Sequence, residues 1–126
     1  IIEPKAAELA AVRATKEEVA AILSAYDTMA GSGDDRQARL EADIQFHSAI
    51  LRASHNEVLN HFKYAIAAYL KAHFKHGGEV SGEIDDKDLG RHRQIAWAIA
   101  AGKVKSAYSL TVEMLNSNHS HFSRDE

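Results

Sequence analysis

A chain of 126 residues suffices for one compact domain with its own core and is too short for two. The residues are 45% hydrophobic and 26% charged, and the formal net charge is −3 with Lys and Arg scattered among acids, which argues against nucleic-acid binding by this segment. Cys is absent, so disulfides and thiolate metal sites are excluded. No apolar run approaches the ~20 residues of a membrane span and no signal-peptide pattern opens the chain, so a cytoplasmic protein without membrane partners is expected.

The elements read as helices throughout. The first runs from Ile1 to Arg13, is Ala-rich and carries Ile2, Ala6, Leu9, Ala10 and Val12. Pro4 fits its first turn, or kinks a helix that began earlier. Because the chain starts at Ile1 inside this pattern, it is expected to be part of a longer protein. Thr15-Lys16-Glu17-Glu18 has the spacing of a capping box and opens a second helix through Val19, Ile22, Leu23 and Tyr26 to about Ala30. Gly31-Ser32-Gly33 ends it, and Asp34 or Asp35 caps a third helix reaching about Ser54, with Leu40, Phe46, Ile50 and Leu51 as its apolar stripe. Asn56 caps a fourth helix through Leu59, Phe62, Ile66, Tyr69, Leu70, His73 and Phe74. Gly77 to Asp86 reads as the one long loop. Asp85 or Asp86 caps a fifth helix with Leu89, His92, Ile95, Trp97 and Ile99, closed by Gly102. The last helix runs from Lys103 to about Phe122 with Val104, Ala107, Leu110, Met114 and Leu115. Short connections favour antiparallel neighbours, and the expected fold is an all-α antiparallel bundle of about six helices in a single domain over residues 1–126.

The chain has eight His, more than helical scaffolding requires. The informative ones are His47, four residues after Asp43, and His92. At ~100° per residue, with Asp43 at zero, His47 lies at ~40°, Ile50 at ~340° and Arg52 near 180°. Asp43 and His47 therefore share the buried face, and His92 faces the same way as Ile95, Ala96 and Ile99. A carboxylate there needs a partner or a cation. Two imidazoles and one carboxylate converging in a bundle would form a metal or anion site. The plainer alternative is an i,i+4 hydrogen bond within the core, with Arg39 as a second partner for Asp43. Tyr69 and His73 lie near the apolar stripe of the fourth helix and are candidates to hydrogen-bond a ligand in the bundle centre, or core residues with a polar handle. His55, His61, His76, His119 and His121 fit exposed positions or termini. No phosphate-binding Gly-rich loop, nucleophile elbow or His-Glu-x-x-His motif occurs.

The run Ile2-Glu3-Pro4-Lys5-Ala6-Ala7-Glu8-Leu9-Ala10-Ala11, then Glu41-Ala42-Asp43-Ile44-Gln45-Phe46-His47, then Ala53-Ser54-His55-Asn56, and the stretch from His92 through Ala98-Ile99 and Gly102 to Ala107 follow one another in an order that resembles the C-terminal ligand-sensing domain of GntR-type transcription regulators, fatty-acid-regulator branch. The resemblance spans nearly the whole chain. It implies an antiparallel helical bundle with a central pocket for a small effector, commonly a carboxylate, and a homodimer. It also implies a preceding winged helix-turn-helix domain through which alone DNA would be bound. Many such domains hold a divalent metal, Zn²⁺, Ni²⁺ or similar, with an Asp, a His four residues later, a third ligand on a later helix and a fourth on the last. The first three correspond to Asp43, His47 and His92. The fourth falls on Met114, a poor ligand for such ions that would leave a position to water or effector oxygens.

The expected function is thus ligand sensing by a transcription regulator, with Asp43, His47 and His92 on a metal and Tyr69, His73 and Met114 near a small carboxylate effector such as a sugar acid. The competing class is a metal-dependent enzyme with a two-His-one-carboxylate site. Against it, no second general acid or base is evident beside the three residues.

Overall fold

The computed structural model describes residues 2–77 and 86–124, and all of its regular structure is helical. The helices are α1 (Ile2–Arg13), α2 (Lys16–Ala30), α3 (Arg36–Ala53), α4 (Glu57–His61), α5 (Lys63–Gly77), α6 (Asp86–Ala100) and α7 (Val104–Arg124). The expected loop from Gly77 to Asp86 lies almost wholly outside the described residues.

The boundaries follow local chemistry. The capping box forms in both directions: the Glu18 amide donates to Thr15 Oγ1 at 3.1 Å and the Thr15 amide to Glu18 Oε1 at 2.9 Å. Asp35, not Asp34, caps α3 by accepting from the Ala38 amide at 3.0 Å, and Asn56 caps α4 by accepting from the Leu59 amide at 3.0 Å. At the end of α6, Gly102 takes a φ of 68°. The Lys103 amide then reaches back to the Ala98 carbonyl at 2.8 Å, so the chain reverses without stranding its last carbonyls.

One element differs from expectation. The fourth predicted helix is two helices, α4 and α5, broken at Phe62. At the break the Phe62 amide bonds the Leu59 carbonyl three residues back at 3.0 Å, a tightened turn, and the His61 ring lies over it with Nδ1 donating to the Glu57 carbonyl at 2.8 Å. Neither Pro nor Gly marks the break.

α3 is the central helix, packed against α1, α2, α4 and α5, while α6 lies on α1, α2 and α7. Ala6, Ala7 and Ala10 are fully buried, and their small side chains let α1 lie close against α3 and α7. Phe46, Leu51, Ile22, Ile95, Met29 and Met114 fill the interior. Each of these fully buried side chains contributes ~1.5–3 kcal/mol by leaving water. Trp97, placed by sequence among the apolar positions of its helix, points outward at 59% exposure because it falls between the inward residues Ile95 and Ile99.

Candidate functional site

α6 has α1, α2 and α7 as its main neighbours, and polar side chains meet between it and α3. One turn along each helix sets the spacing: Arg39, Asp43 and His47 descend one face of α3, and Asp88 and His92 lie one turn apart on α6. Asp43 Oδ1 stands 3.1 Å from His47 Nε2 and 3.1 Å from His92 Nε2. One ligand atom from each of these residues lies within 4.8 Å of the others, so the three could hold a metal ion together. Phe46 packs edge-on against both imidazoles, with ring centroids 5.5 and 4.9 Å away, and seals them from the core side.

The far nitrogens fix the protonation pattern. His92 Nδ1 is 2.7 Å from the Asp88 backbone carbonyl, which can only accept, so Nδ1 carries the hydrogen. His47 Nδ1 is 2.6 Å from Glu3 Oε1 on α1. Burial works to raise Glu3, but the His47 charge and hydrogen bond outweigh it and hold the carboxyl below its usual range, so Nδ1 of His47 is a donor as well. With both Nδ1 atoms protonated, Nε2 is the nitrogen of each ring that faces the same carboxylate oxygen, donating to it when protonated and offering a lone pair when not. Burial also opposes ionisation of Asp43, yet the hydrogen bonds and charges of His47 and His92 depress it far below the carboxylate range. Two ring nitrogens and a carboxylate oxygen thus converge on one spot. They need either protons on both rings or a cation between them. A partner on the outer nitrogen of each ring is also how metal-binding His residues are held in tautomer and orientation.

A crevice enclosing about 260 Å³ of non-atom space, part of it open to solvent, lies beside this cluster. Glu3, Ala7, Phe46, His47, Ile95 and Thr111 are among its lining residues, and the part that water can enter is about one molecule across. Thr111, buried on α7, spends its hydroxyl hydrogen on the Ala107 carbonyl at 2.8 Å and keeps its lone pairs. Met114 is fully buried on the same inward stripe of α7 as Ala107 and Thr111. Tyr69 and His73 lie elsewhere, stacked on each other on α5 at 6.0 Å with Tyr69 52% exposed, and neither lines the crevice. Arg39 does not bond Asp43: its Nη2 is 3.5 Å from Asp88 Oδ2. His55 and His61 are exposed, as expected from sequence. The side chains of His76, His119 and His121 lie outside the described residues.

The FCD domain family model matches residues 1–117. This chain belongs to that family. The resemblance to GntR-type sensing domains is thereby confirmed, and the FCD domain is the effector-binding domain of those regulators. Over 75 residues the chain is 41% identical to the galactonate operon transcriptional repressor of Escherichia coli strain K12, a stretch covering 60% of this chain and 33% of the repressor. The chain therefore spans a minority of that relative's length. No described helix is long and apolar enough to cross a membrane.

Within this FCD domain three residues near the convergent atoms come from outside the sequence-level set: Glu3, Asp88 and Thr111. Asp88 had a signal, since Asp88 and His92 repeat the four-residue spacing of Asp43 and His47. Glu3 had none, because an acid in a first turn reads as an ordinary partner of the helix dipole.

The FCD domain's pH response follows from these shifts. Burial opposes charge on His47, but Glu3 and Asp43 raise it well above its ordinary value of 6.5. That contribution to stability is complete below 6.5 and is lost as pH rises through the folded value. The depressed Asp43 contributes above about 3.8 and loses its contribution as pH falls below that toward its folded value. The metal-free domain should therefore have its highest melting temperature from about pH 5 to 6.5 and decline on the alkaline side. A scan of melting temperature against pH, with metal chelated, checks this. A melting temperature that rises steadily through pH 8 would remove the charged His47 cluster.

Proposed function

We propose that this domain senses a small hydroxy-carboxylate through a divalent metal held by Asp43, His47 and His92, and passes the signal to a DNA-binding domain of the same regulator. The observation that carries the reading is the convergence of two Nε2 atoms and one carboxylate oxygen, each ring backed by a partner on Nδ1. A donor set of two imidazoles and a carboxylate suits Zn²⁺, Ni²⁺ and similar ions. Such an ion, when bound, supplies a Lewis-acidic anchor for carboxylate or hydroxyl oxygens, since three protein ligands leave coordination positions open. The relative's name, a galactonate operon repressor, supports a sugar acid as the effector class.

The reading is a sensor and not an enzyme. Of the further acids beside the three residues, Glu3 is held by His47 Nδ1 at 2.6 Å and the Asp88 carboxylate faces Arg39 and the outer nitrogen of His92 rather than the convergent atoms. The signal would arise from the effector's preference for one arrangement of a homodimer over another. Tyr64 at 71% exposure and Tyr69 on α5 supply apolar surface for such a dimer.

The test is thermal shift with divalent metals and a series of sugar acids, alone and together, with sedimentation velocity alongside. Metal should raise the melting temperature, galactonate or a related acid should raise it further only when metal is present, and the sedimenting species should be a dimer. A protein purified without metal and indifferent to every divalent ion would reduce the site to a protonated core cluster.

A further inference from the structure

Among the described residues, Arg39 carries a guanidinium close to His92 that is not fully used. Its side chain is 15% exposed, and its Nη2 reaches Asp88 Oδ2 only at 3.5 Å, the outer limit of a hydrogen bond. Its Nη1 is buried and makes no hydrogen bond among the described residues. A buried guanidinium donor left without an acceptor is costly, and such atoms occur where an additional partner is accommodated. Arg39 stands one turn before Asp43 on α3, about 6 Å along the helix axis. Asp88, its present partner, stands one turn before His92 on α6 and orients that ring through its carbonyl. Asp88 Oδ2, which faces Arg39 Nη2 at 3.5 Å, lies 3.8 Å from His92 Nδ1, so a single carboxylate separates the guanidinium from the His92 ring.

We infer that Arg39 reads the effector's carboxylate while another oxygen of the same acid reaches the metal. This rests on the metal-anchored sensing proposed above and assigns the residue that distinguishes an acid from a neutral polyol. The planar fork of Arg matches a carboxylate with two parallel hydrogen bonds, which Asp88 at its present distance does not satisfy. The incoming carboxylate takes Nη1 and competes with Asp88 for Nη2. Asp88 thereby acts as a stand-in acid that keeps Arg39 in place until the effector's carboxylate takes over.

The experiment measures, by calorimetry, divalent metal affinity and then the affinity of the metal-loaded protein for galactonate and for the neutral polyol galactitol. The variants are Arg39→Gln, Arg39→Lys and Asp88→Asn. Arg39→Gln should leave metal affinity within about 2-fold and lower galactonate affinity roughly 10–100-fold, to the level of galactitol, as expected for losing a charge-assisted hydrogen-bond pair. Arg39→Lys should keep part of the preference, since charge remains without the fork. Asp88→Asn should raise galactonate affinity several-fold in the parent and not in the Arg39→Gln background, a coupling that a merely unfolded variant cannot produce. Equal galactonate affinity for parent and Arg39→Gln would overturn the inference and leave the metal reading standing. Loss of metal by Arg39→Gln would make Arg39 a support for His92 and overturn it also. A metal-loaded parent that binds no sugar acid would remove both the inference and the effector class it rests on.

Discussion

Replacing His92 by alanine should abolish tight divalent-metal binding and, with it, the response to any acid effector. His92 supplies one of the two Nε2 atoms at 3.1 Å from Asp43 Oδ1, and its ring is held in place by the Asp88 carbonyl. Loss of a partner behind a ligand typically weakens metal affinity about 10–100-fold, so loss of the ligand itself should exceed that range. A second effect accompanies the first. Asp43, 24% exposed, would keep only His47, and losing one partner should lower stability by less than the about 3–5 kcal/mol seen when a fully buried pair is broken. His92→Ala should therefore melt lower than the parent without metal and gain nothing when metal is added. Calorimetry with Zn²⁺ and Ni²⁺, together with melting curves in chelator, reads both. Unchanged metal affinity would exclude His92 from the coordination sphere.

Introducing a fourth nitrogen should have the opposite sign for metal and an adverse one for effector. Met114 is fully buried on the α7 stripe that also carries the crevice-lining Thr111. By resemblance to the metal-holding members, its position is that of a last-helix ligand. Met114→His should tighten metal binding roughly 10-fold or more and blunt the thermal response to sugar acids, because the imidazole takes a coordination position that the effector needs. Met114→Leu preserves volume and serves as the control, with a change below about 1.5 kcal/mol in stability and none in metal affinity. Identical metal affinities for Met114→His and the parent would show that residue 114 does not face the ion.

The sequence made Asp43, His47 and His92 visible because helical periodicity reports the phase of each residue on its own helix. Asp43 and His47 fall on the buried face of α3, and His92 shares the inward stripe of α6 with Ile95 and Ile99. Phase says nothing about which helices face each other, and the meeting of α3 with α6 across polar side chains is a tertiary fact. The same limit explains Arg39. On its own helix its natural partner is Asp43 one turn away, yet both imidazoles occupy Asp43 Oδ1, and the guanidinium turns to Asp88 on the neighbouring helix. Glu3 was out of reach for another reason: its meaning depends on a 2.6 Å contact with a residue two helices later. The break at Phe62 escaped because no helix-breaking residue marks it: the Phe62 amide bonds the Leu59 carbonyl three residues back, a tightening that residue types do not announce. Tyr69 and His73 lie near the apolar stripe of α5, which packs on α3 and α4, and they do not line the crevice beside the three residues.

The narrowness of that crevice bears on how a sensor of this kind is tuned. An effector atom that, on the proposed reading, approaches the site from the His47 side must part Thr111, Ile95 and their neighbours, since the space there admits about one water. Under the proposed reading, every ligand's apparent affinity is its intrinsic affinity scaled down by the fraction of molecules already open. A cavity that already matched its ligand would bind more tightly and say less, because a ligand with equal affinity for both shapes shifts neither. Substitutions that hollow out the lining would then make a more sensitive receptor and a poorer messenger.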